Sequence, residues 1–231
     1  MDQMSYILFL CTAVPMLLML VPIEKGSRKV VFFMLVGMFC CLFVSELNGL
    51  LLNLTDSDLL YFTTNITPIT EEIIKSVPIL LYAILFTDNR KNIITASFSV
   101  GVGFALLENL MIMTQNFKTV DLFFAIVRGF SSGLMHSICT IIIGFFIVFI
   151  TKRRKTFIAG TISALNFAMV YHSVFNMLVQ ANSLAANIVG FLMPISSYAV
   201  LNIFFLKKSR QQAAEPSHII QSVQNAPTTD K

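Results

Sequence analysis

The sequence predicts an all-α fold, a polytopic membrane bundle of about seven transmembrane helices, and three observations carry that prediction. Apolar residues make up 56% of the chain and charged residues only 12%, about half the charge of an ordinary soluble domain. Seven apolar segments are candidates to cross a bilayer core, which takes about 20 helical residues. The basic residues fall on alternate connections between those segments.

In order, the segments run roughly Tyr6–Val21, Val30–Leu52, Thr67–Phe86, Ile93–Met113, Leu122–Ile150, Thr156–Val179 and Leu184–Leu206. The first has no basic residue before it, only Asp2, and no small-residue cleavage site after it; it reads as a retained anchor rather than a signal peptide. The fifth is long for a simple span. As one helix it reaches about 43 Å against a hydrocarbon core of about 30 Å, so it is expected to tilt strongly or to break near Gly129–Gly133.

Twelve basic residues occupy one set of connections: Lys25, Arg28 and Lys29, then Arg90 and Lys91, then Lys152, Arg153, Arg154 and Lys155, then Lys207, Lys208 and Arg210. The other set holds Asp56, Asp58, Lys118 and Asp121. The excess of Lys and Arg on cytoplasmic loops puts the N-terminus outside and the C-terminus in the cytoplasm. Residues 1–208 read as one integral membrane domain. Residues 209–231 are polar, with Pro216 and Pro227, and read as a disordered cytoplasmic tail. Cys11, Cys40, Cys41 and Cys139 lie in apolar runs without metal-ligand spacing and read as packing residues. The bilayer is the expected surrounding, and no nucleic-acid partner is expected.

Eight ionisable residues interrupt these segments: Glu46 in the second, and Glu71, Glu72, Lys75, Glu108, Arg128, His136 and His172 in the third to sixth. A charge at the bilayer centre costs about 2.5–3.5 kcal/mol even on a lenient scale. These residues must therefore face one another or a wet cavity, and they are functional candidates. Counting 1.5 Å per residue with the orientation above, Glu72 and Glu108 each lie about 8 Å below the outer boundary. His136, His172 and Glu46 come out about 21–24 Å from the cytoplasmic boundary, in the same layer. Glu71, Glu72, Glu108, His136 and His172 are therefore expected around one cavity that opens outward.

Local spacing adds detail. Glu71 and Lys75 stand at i,i+4, the order that favours a helical ion pair, which leaves Glu72 free to point elsewhere. His172 and Asn176 share the same spacing and can address one group. Gly101 and Gly103 allow close helix approach beside Glu108. Each feature alone also has a structural reading. Glu71–Lys75 can be a buried ion pair, His136 a packed and hydrogen-bonded side chain, and His172 with Asn176 interhelical glue. Arg128 can snorkel to headgroups or cap the cluster, and Glu46 can be a structural partner.

Taken together, EEIIK at Glu71–Lys75, FALLE at Phe104–Glu108, RGFSSGLMH at Arg128–His136 and HSVFN at His172–Asn176 resemble, in order and placement, the motifs of the PrsW family of intramembrane proteases. The wider clan includes the CAAX prenyl endopeptidases and bacterial immunity-type membrane proteases. Those relatives carry an arginine after the paired glutamates and a histidine in the second motif; Lys75 and Glu108 stand there in this chain. The resemblance implies an endopeptidase acting on a membrane-anchored protein near the outer face, the first cut in an anti-sigma factor being one such reaction. It implies catalytic roles for Glu71, Glu72, Glu108, His136, His172 and Asn176, supported by Lys75 and Arg128.

Peptide hydrolysis needs an activated water, a stabilised oxyanion and a proton for the leaving amine. A carboxylate among apolar groups becomes a stronger base. Glu72 is the expected base, with Glu71 held by Lys75. Glu108 and His136 are placed to share the water, and His172 and Asn176 to donate to the oxyanion. This favoured reading requires no cofactor. A catalytic zinc held by residues drawn from Glu72, Glu108, His136 and His172 is the rival mechanism, although no HExxH is present. A proton- or ion-coupled transporter is the alternative function, since intramembrane acids and histidines also build proton relays.

Overall fold

The computed structural model describes residues 3–118, 120–150 and 154–203, and among these there is no strand. The helices are α1 (Gln3–Met19), α2 (Lys25–Thr55), α3 (Leu59–Tyr61), a π-helical turn (Phe62–Ile66), α4 (Thr67–Leu85), α5 (Arg90–Gln115), α6 (Leu122–Ile150), α7 (Arg154–Val179) and α8 (Leu184–Ile203). Five are long and apolar enough to cross a membrane: α2, α5, the Leu122–Val148 part of α6, the Phe157–Val179 part of α7, and α8. α4 has the length, at 19 residues, but carries Glu71, Glu72 and Lys75. α1 is apolar but only 17 residues long. Lys152, Arg153, Lys207, Lys208, Arg210 and the tail 209–231 lie outside the described residues.

Helix ends follow local sequence. α2 stops at Asp56, whose φ of 47° is left-handed. Asp58 then caps α3 by accepting from the Tyr61 N–H at 3.1 Å. Asn89 caps α5, its side chain accepting from Lys91 N at 3.0 Å and Asn92 N at 3.3 Å. Each cap satisfies a donor that the first helical turn leaves unpaired.

α5 is the central helix, packed between α2 and α6; α7 packs on α6, and α4 lies against α2, α5, α6 and α7. Small residues make the close contacts possible. A Cβ on Gly103 would collide with the Met34 carbonyl of α2, and one on Gly101 would stand 2.6 Å from Ser137 Cα of α6. Two buried clusters result. One joins Phe33, Ile79, Val100, Met135, Ile143 and Phe175; the other joins Met38, Cys41, Val44, Phe104 and Leu107. Outward positions such as Leu18, Phe86 and Leu122 are apolar and exposed, as expected of a surface whose solvent is lipid.

Two alternatives open in the sequence are resolved. α6 is one unbroken helix across Gly129 and Gly133, each with open space around it. A break there would free backbone groups that need new partners inside a membrane, so tilt is the remaining accommodation. Glu46 finds a structural role: the Tyr6 hydroxyl of α1 donates to its carboxylate, fastening α1 to α2. The cysteines are free thiols, buried at 40, 41 and 139 and exposed at 11. Cys40 also has a local task. Pro78 inside α4 has no N–H for the Ile74 carbonyl, and the Cys40 thiol approaches that oxygen at 3.9 Å.

Candidate active site

α4 brings Glu71, Glu72 and Lys75 to the bundle interior. The π-turn and Pro68 lead into it, and its residues 71, 72, 75, 76, 79 and 83 are buried. Glu72 and Lys75 are 0% exposed, as is His136 of α6; His172 of α7 is 1% and Glu71 4% exposed. Burying this many charged and polar groups is tolerable only where they pair.

Lys75 is the hub. Its Nζ lies 2.6 Å from Glu72 Oε1, 2.9 Å from His136 Nδ1 and 3.8 Å from Glu71 Oε2, and it sits 4.3 Å from the centre of the Phe104 ring. An ammonium only donates. His136 Nδ1 therefore accepts, and its Nε2–H donates to Glu108 Oε2 at 3.0 Å. The same Glu108 oxygen accepts from Arg128 Nη2 at 3.1 Å and Ser132 Oγ at 3.2 Å. Glu108 and Arg128 form the exposed edge of the cluster, with side chains 22% and 20% exposed.

On the other side, His172 Nδ1 donates to Glu72 Oε1 at 2.8 Å. Its Nε2 is then an acceptor, and it faces Glu71 Oε2 at 3.9 Å. The two imidazoles meet edge to face with centroids 5.0 Å apart. Glu71 Oε2 and Glu72 Oε2 are buried with no hydrogen-bond partner.

The six charged or imidazole-bearing residues singled out in α4 to α7 around this centre, together with Arg128, do converge, as their common depth predicted. Three details differ. The tighter partner of Lys75 is Glu72 rather than Glu71, because residues three and four apart share a helix face and His136 and His172 draw both groups inward. Asn176 does not join His172: its Nδ2 donates to the Thr63 carbonyl at 3.0 Å. Glu71, Glu72, Lys75, His136 and His172 are almost wholly buried rather than opening outward, and only Glu108 and Arg128 reach the exposed edge. Sequence reasoning passed over Ser132, Thr63 and Gln180. Ser132 stands four residues before His136, and Gln180 four after Asn176, so helical spacing was the available signal for both.

The donor set fits a divalent metal. One ligand atom each from Glu71, Glu72, His136 and His172 lie within 4.8 Å of one another, and two of the carboxylate oxygens are unpartnered. Carboxylate oxygen and imidazole nitrogen are ligands that zinc accepts. Glu71 takes the place expected for Glu108, which meets His136 through the opposite ring nitrogen.

A family model described as PrsW family intramembrane metalloprotease matches residues 25–206. Comparison with curated proteins and with solved structures yields no match. The chain belongs to the PrsW family, and it is a multi-pass membrane protein and a membrane-embedded protease. The expectation that no metal is required is not supported. The family is described as one of metalloproteases, and the four buried groups are compatible with an ion.

Proposed function

We propose that this PrsW-family protease cuts a membrane-anchored protein, of single-span or anti-sigma factor type, near the outer face of the membrane. The reading includes seven spans, with α1 and α4 completing the set, and an N-terminus outside. The alternation of basic connections supports that orientation.

The observation that carries the chemistry is the facing pair of acceptors, Glu71 Oε2 and His172 Nε2, 3.9 Å apart. Two acceptors at that separation suit a small donor between them, and an attacking water is one. Glu72 Oε1 is committed to Lys75 and His172. Glu71 Oε2 and Glu72 Oε2 are both free of hydrogen bonds, but it is Glu71 Oε2 that faces the His172 Nε2 acceptor, so Glu71 takes the proton from water while Glu72, through Oε1, orients His172 and holds Lys75. This exchanges the roles that the sequence suggested for the two glutamates.

The water oxygen adds to the peptide carbonyl carbon, the proton rests on Glu71, and it passes to the leaving nitrogen as the C–N bond breaks. Glu71, Glu72, His136 and His172 are the residues that would hold a metal. When bound, such an ion supplies Lewis-acid activation of water and carbonyl. Glu108, Ser132 and Arg128 fix the His136 ring from behind, the outer-shell arrangement that orients a ligating or proton-carrying imidazole.

The test is product mapping. Purified protein in liposomes is given a single-span substrate, and the new termini are read by mass spectrometry. The proposal expects one cut at the extracytoplasmic end of the span. Cleavage on the cytoplasmic side would overturn the orientation. A proton flux that vanishes in Glu71 and Glu72 variants, with no substrate ever cut, would replace the protease with a transporter.

A further inference from the structure

Asn176 stands one turn beyond His172 on α7 and yet turns to backbone, and the reason lies in Pro68. The segment Phe62–Ile66 is π-helical, and the Thr67 N–H reaches back five residues to the Phe62 carbonyl. In that register the next donor is residue 68 and its target is the Thr63 carbonyl. Proline has no N–H. Thr67, the donor that an α-register would offer Thr63, is already spent on Phe62. The Thr63 oxygen is thereby orphaned by the sequence itself. A part-buried carbonyl left without a donor is unfavourable.

Asn176 Nδ2 donates to that oxygen at 3.0 Å. One turn further along α7, Gln180 meets the Thr63 hydroxyl at 2.8 Å, a hydroxyl that also reaches the Leu59 and Leu60 carbonyls. His172, Asn176 and Gln180 are spaced i, i+4, i+8 and form one stripe. Its first member bonds Glu72, and its second and third grip Thr63. α4 shows the same logic at its second proline, where Cys40 approaches the Ile74 carbonyl that Pro78 leaves unpaired. Single π-turns are frequent at functional sites. Here the turn sits directly before the helix that carries both glutamates.

We infer that Asn176, assisted by Gln180, is a positioning residue: it caps the carbonyl orphaned by Pro68 and so sets the register of α7, and hence of His172, against Glu72. The inference rests on the proposed use of Glu72 and His172, but its geometry can be tested without a substrate. A misplacement of about 1 Å at a catalytic group can cost about 10²-fold in rate.

The experiment is a rescue. Asn176→Leu removes the donor, and Pro68→Ala restores a backbone N–H in the register that reaches Thr63. Relative to wild type, Asn176→Leu should lower kcat by up to about 10²-fold with KM little changed; Pro68→Ala alone is the reference for the double variant. Pro68→Ala/Asn176→Leu should recover most of that loss. If Asn176 instead touches the reacting atoms, the second substitution restores nothing, and equal impairment of the single and double variants would overturn the inference. Spin labels at the exposed positions Leu60 and Met177 give a readout independent of activity. The distance distribution between them should broaden in Asn176→Leu and narrow again in the double variant. An unchanged distribution in Asn176→Leu would equally overturn it, whatever the protein does or does not cut.

Discussion

Lys75 and Glu72, three residues apart on α4, form an ion pair 2.6 Å long in which neither side chain has any solvent exposure. Breaking a buried pair by removing one partner is destabilising by about 3–5 kcal/mol, because a lone charge is left behind. Lys75→Met should therefore lower the yield of folded protein as well as activity. Size-exclusion chromatography in detergent and thermal unfolding check this. A variant as stable as wild type would show that the cluster carries no net charge needing Lys75.

Glu108 acts through His136. It is the acceptor of the His136 Nε2–H, and it is not among the four residues whose ligand atoms lie together, Glu71, Glu72, His136 and His172. Glu108→Gln should keep the fold but leave the ring orientation poorly defined. Loss of such an outer-shell partner costs about 10–100-fold in metal affinity or activity. Zinc titration of the purified variant measures this directly. An affinity equal to wild type would remove Glu108 from the supporting role.

Metal dependence is settled by stripping and restoring. Since Glu71, Glu72, His136 and His172 offer a fitting ligand set, dialysis against a chelator should abolish cleavage, and stoichiometric zinc should restore it. One metal per chain should be found by elemental analysis of the active protein. Full activity in metal-free protein would return the mechanism to glutamate chemistry alone.

Much of this was legible because charge inside an apolar run is expensive. Glu72, Glu108, His136 and His172 were recognisable as partners from depth and helical direction, and Glu71 and Lys75 from their spacing beside Glu72; Glu46, counted into the same layer, pairs with Tyr6 instead. Which glutamate Lys75 holds was not legible, since residues 71 and 72 are both within reach of one helix face. That choice is made by His136, His172 and Phe104 on other helices. The partner of Asn176 was hidden for another reason. It is a carbonyl freed by a missing N–H at Pro68, and hydrophobic periodicity does not register backbone donors. The continuity of α6 was not legible either, because glycine marks where a helix can break, whereas a break also needs partners for the groups it frees.

The orientation has its own check. A cysteine placed near Asp56 should react with an impermeant thiol reagent added from outside, and one near Arg153 should be protected until the membrane is opened. Asp56 ends α2 in a left-handed turn at an exposed connection, so labelling there does not disturb the bundle. The reverse pattern would place the catalytic layer near the cytoplasm.

Activation of water by the paired glutamates of α4 is tested by the single-turnover cleavage rate of a reconstituted membrane-anchored substrate by wild type, Glu71→Gln and Glu72→Gln, each shown to be folded. Glutamine keeps the size and accepts hydrogen bonds but takes no proton from water. Proton transfer by a positioned side chain is worth about 10²–10⁴-fold. Glu71→Gln should lose that order of rate, and Glu72→Gln a comparable amount through the loosened His172 and Lys75. Wild-type rates in both variants would contradict water activation by this pair.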